Sequence, residues 1–255
     1  MLRVPQPDGC DLVVDTFPDG DPHVARALKQ EGVWEPLETQ VIRDILRPGD
    51  TAVDVGTHLG YYTMVMARCV GPRGRVVAFE PEPMAAALTQ RNLVLNGLNN
   101  VEFRQRALSS QAGHARLYLS TKNRGDHRLE AGGEARESLR VQVSTLDAEL
   151  GERPIRLIKT DCQGEEGRIW LGGSGIWSRR TLPAVCLEFW PYGLAFTTRN
   201  STAFLQDLAR TPLRWRLIRE GYGITSIPNL LSDWPARYRL TEATKGFATL
   251  FGVPP

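Results

Sequence analysis

The chain has 255 residues, a length that fits one large α/β domain and buries a sizeable core without disulfide staples. Its 31 basic residues against 29 acidic ones give a formal net charge of +2, which excludes the strongly basic footprint of a nucleic-acid or anionic-membrane binder. No run approaches the ~20 apolar residues of a membrane span, and residues 1–20 lack the apolar centre of a signal peptide.

The four cysteines, Cys10, Cys69, Cys162 and Cys186, are too far apart for zinc or thioredoxin spacing. Buried reduced thiols and a cytoplasmic location are therefore expected.

The first thirty residues are mixed and rich in Pro and Asp, and no element is assigned to them. Val41, Ile42, Ile45 and Leu46 recur at helical spacing, which predicts a helix over 38–46, stopped by Arg47-Pro48-Gly49-Asp50. Strand and helix signals then alternate. Residues 51–55 read as a strand and Tyr62 to Val70 as a helix face. Residues 75–79 read as a strand, 84–96 as a helix closed by Gly97, and 101–103 as a strand. This rhythm implies a parallel sheet covered by helices on both faces.

The pattern changes over 113–143. Ala115, Leu117 and Leu119 alternate, as do Leu139, Val141 and Val143, on either side of the polar stretch 120–137. Two strands flanking a long loop are expected, and loops of that length in compact domains are usually functional or disordered. The α/β rhythm returns with a strand over 155–159, a helix over 165–170, a strand over 183–189 and a helix over 203–209. Closing strands follow at 215–218 and 247–251. With no repeat or linker, residues 1–255 form one domain, with 1–37 as an N-terminal extension.

Val53-Asp54-Val55-Gly56-Thr57-His58-Leu59-Gly60 follows an apolar run and precedes a helical one, the context in which a glycine turn approaches a ligand. Its spacing is not G-x-G-x-x-G, so a pyrophosphate-binding fingerprint is absent. About 20 residues on, Glu80 of Phe79-Glu80-Pro81 ends the next strand, where a carboxylate can accept hydrogen bonds from a ribose diol. A nucleoside site with no phosphate binder points to S-adenosylmethionine, and Asp54 could meet the charged amine at its amino-acid end. The bland alternative is a βαβ unit whose glycines only shape the chain.

The sequence resembles the FkbM family of class I methyltransferases. The likeness rests on Trp34-Glu35-Pro36, Pro48-Gly49-Asp50 leading into Asp54-Val55-Gly56, Gly60-Tyr61-Tyr62-Thr63, Phe79-Glu80-Pro81 and the Asn92 to Gly97 helix end. It continues through Ala107-Leu108-Ser109, Thr145-Leu146-Asp147, Ile158-Lys159-Thr160-Asp161 with Gly164, and Leu187-Glu188-Phe189. It implies a Rossmann-like α/β fold, whose seven-stranded, mostly parallel sheet has its last strand antiparallel. It further implies S-adenosylmethionine as cofactor, O-methylation of a small-molecule acceptor such as a sugar or secondary metabolite, and a substrate-side role for the insertion at 113–143. Asp54, Gly56, Thr57, His58, Gly60, Glu80, Pro81 and Ala107 are the cofactor-binding candidates. His58 stands where the family often carries a small residue or Asn, and either touches the cofactor or fills space. Gln163 replaces a frequent Glu and cannot act as a base.

For the chemistry, His127 in the polar loop is the candidate base, since an unperturbed imidazole titrates near neutrality. Its alternative is a solvated surface histidine. Asp161, at the carboxyl end of its strand, orients the acceptor, polarises His127 or holds a metal, or else caps the helix expected near Gln163. Lys159, on the same side of that strand, pairs with Asp161 or snorkels. Glu188 and Trp190 are the acceptor-side candidates, with Tyr192 beside them. No spacing argues for a metal, and the oligomeric state is not fixed. Rival readings are N-methylation of an amine, a non-catalytic cofactor-binding module, and a NAD-dependent oxidoreductase.

Overall fold

A computed structural model describes residues 1–18, 23–219 and 221–255. Residues 19–22 of the N-terminal extension lie outside the described residues. The extension opens with a hairpin, β1 (Leu2–Val4) and β2 (Leu12–Val14), followed by α1 (Val24–Glu31) and α2 (Pro36–Ile45). The expected alternation then appears as β3 (Thr51–Val55), α3 (Tyr61–Val70), β4 (Arg75–Phe79), α4 (Pro83–Leu95) and β5 (Val101–Arg104). β6 (Ala107–Leu108) then joins the two strands of the insertion, β7 (Gly113–Tyr118) and β8 (Ser138–Ser144), in a three-stranded sheet. After it come α5 (Leu146–Leu150), β9 (Leu157–Thr160), α6 (Glu166–Leu171), α7 (Ser174–Trp177), β10 (Ala184–Phe189), α8 (Pro191–Leu194) and α9 (Ser201–Ala209). The chain closes with β11 (Arg214–Arg219), β12 (Gly223–Ile227), α10 (Trp234–Arg237) and β13 (Ala248–Val253).

The main sheet runs β12-β11-β13-β10-β9-β3-β4-β5. Strands β10, β9, β3, β4 and β5 are parallel, and β13 lies antiparallel between β10 and β11. This is the Rossmann-like α/β sheet expected, with its last strand reversed. The expected seven strands become eight, because the chain turns back after β11 and β12 joins the edge as a hairpin. Ile224 and Ile227 are too few apolar residues to announce that strand in the sequence.

Period-two alternation sends neighbouring side chains of one strand to opposite layers. Ala52 and Val76 pack with Ile42, Met64, Val70 and Leu93 of α2, α3 and α4. Val53, Val55, Val77 and Phe79 pack with Leu146, Leu150, Ile169 and Ile176 of α5, α6 and α7. Because both faces are covered, β3 and β4 read as nearly unbroken apolar runs. The fully buried exception is Asp54.

The extension is tied down through α4. Asn96 and Asn92 each exchange two hydrogen bonds with β2 and the residues after it. Val13 N donates to Asn96 Oδ1 at 2.8 Å and Asn96 Nδ2 to Val13 O at 2.7 Å. Asp15 N donates to Asn92 Oδ1 at 2.7 Å and Asn92 Nδ2 to Asp15 O at 3.0 Å. Two side-chain amides thus stand in for a neighbouring strand, which carries the chain toward the carboxyl edge of the sheet.

At that edge β3 and β9 end against each other. Gly56 has φ +86°, and a Cβ built on it would lie 2.0 Å from the carbonyl oxygen of Asp161. Gly97, also left-handed at φ +63°, has open space beside it. Gly56→Ala is therefore expected to destabilise the fold by at least about 2 kcal/mol through backbone strain and overlap. Gly97→Asn should cost less than about 1 kcal/mol, since Asn tolerates this backbone region. Urea unfolding of the two variants checks the difference.

Candidate active site

The turns after β3, β4, β9 and β10 all open on one edge of the sheet, where ligands of open α/β sheets bind. Two chambers lie there. The first, about 630 Å³ of empty space counted with its open mouth, is walled by Phe79, Glu80, Pro81, Ala107, Leu108, Leu117, His127, Leu129 and Glu165 among others. The second, about 1260 Å³ on the same count, includes Trp34, Glu35, Tyr61, Tyr62, Arg128, Lys159, Glu188, Trp190 and Phe247. Gly56, His58, Gly125, Asp161 and Gln163 line both, so the chambers meet at the ends of β3 and β9 beneath the tip of the insertion.

Glu80 is positioned by its own backbone surroundings. Pro81 and Pro83 stiffen the exit from β4, and Glu82 caps α4 by accepting from Ala85 N at 2.6 Å. The Glu80 carboxylate, 8% exposed, accepts from His58 N at 2.8 Å and Glu82 N at 3.0 Å. It therefore locks the glycine turn to the end of β4. Burial pushes its pKa up to about 7 against the pull of those two amides.

The insertion is a folded roof. Tyr118 and Arg128 exchange backbone hydrogen bonds, and Asn123 Oδ1 accepts from Gly125 N at 3.0 Å. Arg124, His127 and Leu129 line the first chamber, whereas Asn123, Asp126 and Arg128 line the second. Arg128 donates to both oxygens of Asp126, at 2.6 and 2.8 Å, and lies over the Trp190 ring at 4.8 Å. Despite burial, Arg128 and Arg136 hold Asp126 below the usual carboxylate range.

His127 takes Ser120 N–H on Nδ1 at 3.0 Å and lines only the chamber that holds Glu80. Burial lowers its pKa to about 4. It is neither a solvated surface histidine nor part of the second chamber.

A chain of polar contacts floors the second chamber. Thr249 donates to Glu38 at 2.5 Å, and Lys159 Nζ lies 3.6 Å from Glu38 Oε1 and 3.4 Å from Asp161 Oδ2. Gln163 Nε2 donates to Asp161 Oδ1 at 2.8 Å and to both oxygens of Glu188 at 3.2–3.3 Å. Lys159 therefore pairs with Asp161, and its ammonium also sits 4.4 Å from the Tyr62 ring centre. Burial works against its charge, but Asp161 and Glu38 hold its pKa well above the ordinary range. Asp161 does not cap the next helix, which starts only at Glu166.

Glu35 was not among the sequence candidates. It stands at φ +43° before α2, with Pro36 at the first helical position, and accepts from Tyr62 Oη at 2.7 Å. Burial, then Glu38 and Asp161, push its pKa up to about 8. Burial and Asp161 likewise raise Glu188 well above its usual range. The Trp34-Glu35-Pro36 motif was the available signal for Glu35. Gln163, set aside as a base, serves as the amide donor between two carboxylates.

Several candidates fall elsewhere. Gly60 lines neither chamber: it begins α3, and the space of its missing side chain is closed by Thr89 at 3.0 Å. Asp54 is fully buried behind the site, with Thr63 Oγ1 donating to one oxygen at 2.5 Å and no partner on Oδ1. Thr57 faces the second chamber rather than the first. Tyr192 lines neither chamber and packs behind Trp190, at 5.5 Å between ring centres, with Lys245 Nζ 4.1 Å from its own ring centre. His58 does both things expected of it: it lines the junction and packs on Phe17 at 5.0 Å. The four cysteines are unpaired, but only Cys186 is buried and Cys10 is exposed. Among the described residues no group of His, Cys, Asp and Glu has the arrangement of a metal site, and no helix is long and apolar enough to cross a membrane.

The family described as "Methyltransferase FkbM domain" matches residues 54–208, about three-fifths of the chain. Among relatives, the 31-O-demethyl-FK506 methyltransferase FkbM of Streptomyces tacrolimicus is 29% identical over 159 residues, covering 50% of this chain and 60% of that protein. Methyltransferase 1 of Beauveria bassiana is 27% identical over 136 residues, covering 45% and 54%. The matches thus span little more than half of these relatives' lengths. The solved structure of Methyltransferase FkbM from Methylobacillus flagellatus KT is a more distant likeness, with TM-score 0.48 and 14% identity over 84% of this chain and 50% of that one. The chain belongs to the FkbM family of methyltransferases, and its methyl donor is S-adenosylmethionine.

Proposed function

We propose that the protein moves the methyl group of S-adenosylmethionine onto a hydroxyl of a small molecule, a sugar or secondary metabolite, in the cytoplasm. The observation that carries this reading is the pair of chambers meeting at Gly56 and Asp161. The first fits the adenosyl portion: a buried carboxylate, Glu80, for the ribose and apolar walls from Pro81, Ala107 and Leu108 for the base. Asp54, fully buried and lining neither chamber, holds the turn from behind through Thr63 and is not assigned to the donor's ammonium end. The second chamber, walled by indole and phenol rings, suits an organic acceptor of modest size.

The bound donor supplies an electrophilic methyl group. The protein holds the acceptor oxygen in line with it, and such orientation can supply roughly 7–11 kcal/mol of the barrier. Glu35 receives the hydroxyl proton, held in place by Tyr62 and facing the same chamber as Asp161. Asp161, fixed by Lys159 and Gln163, orients the acceptor with Glu188 and Trp190. His127 lies on the donor side and is assigned to packing the adenosyl group rather than to proton transfer. The S. tacrolimicus relative, named for a 31-O-demethyl acceptor, supports the hydroxyl assignment. The carboxylates of Glu35 and Glu188 favour a second reading, a cationic amine acceptor.

The test supplies methyl-labelled S-adenosylmethionine with a metabolite extract and panels of hydroxylated and amine compounds, and locates the label by mass spectrometry. Label on oxygen supports the proposal, and label on nitrogen replaces it with the amine reading. With the acceptor so found, Glu35→Gln should lower kcat by roughly 100-fold or more while donor affinity stays unchanged. The wild-type rate should rise toward pH 8, because the proton acceptor must be ionised and its pKa is about 8. A variant of normal rate would remove Glu35 from the chemistry.

Glu80→Ala should weaken S-adenosylhomocysteine binding by about 1–3 kcal/mol in calorimetry. Ribose hydroxyls donate to the ionised carboxylate, and Glu80 takes up a proton below about pH 7. Wild-type affinity should therefore fall from pH 8 to pH 6, and Glu80→Gln should flatten that fall.

A further inference from the structure

The first chamber holds a second buried carboxylate that ribose binding leaves unused. Glu165 lies in the turn between β9 and α6, is 3% exposed, and lines the wall with Leu108 and Leu117. Ser109 Oγ donates to its Oε1 at 2.5 Å. Among the described residues its Oε2 has one donor, Arg168 Nη1, at the long distance of 3.5 Å, and that nitrogen lies closer to Glu130, at 2.7 Å. A buried carboxylate oxygen so weakly matched is an acceptor awaiting a donor.

The position of the ligand narrows what that donor is. Gly56 and Asp161 lie where the chambers meet, so the reacting sulfonium belongs there, and Glu80 takes the ribose. The base is left to the remaining wall of Ala107, Leu108, Leu117 and Leu129, beside Glu165. Arg106, on the same wall, has a buried Nε–H without a partner, a donor of the kind that ring nitrogens accept.

We propose that Glu165 is a specificity residue that accepts a hydrogen bond from the exocyclic amino group of the donor's adenine and so rejects hypoxanthine in its place. The inference rests on the donor assignment above. Adenine presents an N–H donor at that edge, whereas hypoxanthine presents a carbonyl oxygen, which would face the carboxylate acceptor to acceptor. A site built to receive an N–H discriminates strongly against an analogue lacking it, because its buried acceptor is left unpaired. Burial pushes the Glu165 pKa up to about 7, and an incoming N–H donor favours the ionised form.

The test is calorimetric titration of the full chain with S-adenosylhomocysteine and with its deaminated form, S-inosylhomocysteine. The wild type should prefer the adenosyl ligand by at least about 30-fold. Glu165→Gln keeps the shape but adds an amide N–H that can turn to the hypoxanthine oxygen, so the preference should collapse toward unity, mainly through gained inosyl affinity. A purely structural role for Glu165 would weaken both ligands together and leave the ratio intact, which would overturn the proposal. Equal binding of both ligands by the wild type would also overturn it. Binding of neither would overturn the donor assignment and this inference with it, whereas adenosyl binding with an unchanged ratio would spare the former.

Discussion

The site depends on the absence of a side chain at Gly56. The carbonyl of Asp161 occupies the space a Cβ would need, at 2.0 Å from its ideal position, so the turns after β3 and β9 can close on each other only through glycine. That contact sets a glycine corner and the Asp161 backbone at one point, where the two chambers meet. The first chamber then follows the exit of β4, and the second follows β9 and β10. Glu80 reinforces the arrangement by gripping the amide of His58, so the turn is held from both neighbouring strands.

The second chamber presents an electrostatic problem that the sequence solves with few cations. Glu35, Glu38, Asp161 and Glu188 gather around Lys159, whose ammonium pairs with Glu38 and Asp161 and lies against the Tyr62 ring. Gln163 then links Asp161 to Glu188 through one amide, easing a repulsion that a glutamate there would worsen. Burial first, and the neighbouring carboxylates after it, push the pKa values of Glu35 and Glu188 up. Groups perturbed by burial and like charge cluster where chemistry is done. The same crowding that would weaken a structural core here leaves a carboxylate able to take a proton near neutrality.

The parts of the fold legible in the sequence were those with strong periodicity. The strand over 51–55 and the strand over 75–79 agree to the residue with β3 and β4, because a strand buried on both faces is an unbroken apolar run. Short elements escaped: β1, β2 and β12 are three to five residues long, and β2 is held by side chains distant in sequence, Asn92 and Asn96. That Gly56 and Glu80 come together at one chamber was legible because the turns of successive strands in a βαβ unit have fixed spacing. The chamber that His127 lines was not legible, for the opposite reason. A loop residue's side is set by alternation across a roof that only tertiary contacts define, and His127 lines the first chamber while Asp126 and Arg128 line the second. Gly60 looked like part of a ligand cradle, yet the side chain it accommodates is Thr89. Glu35 precedes the expected helix by three residues, so nothing local tied it to strands more than a hundred residues away.

A crystal structure with S-adenosylhomocysteine bound tests the account most directly. The two-chamber geometry predicts the ribose hydroxyls on Glu80 and the sulfur between Gly56 and Asp161, pointing into the chamber of Glu35 and Glu188. Density for the ligand in the aromatic chamber instead, or a sulfur turned toward His127, would contradict it.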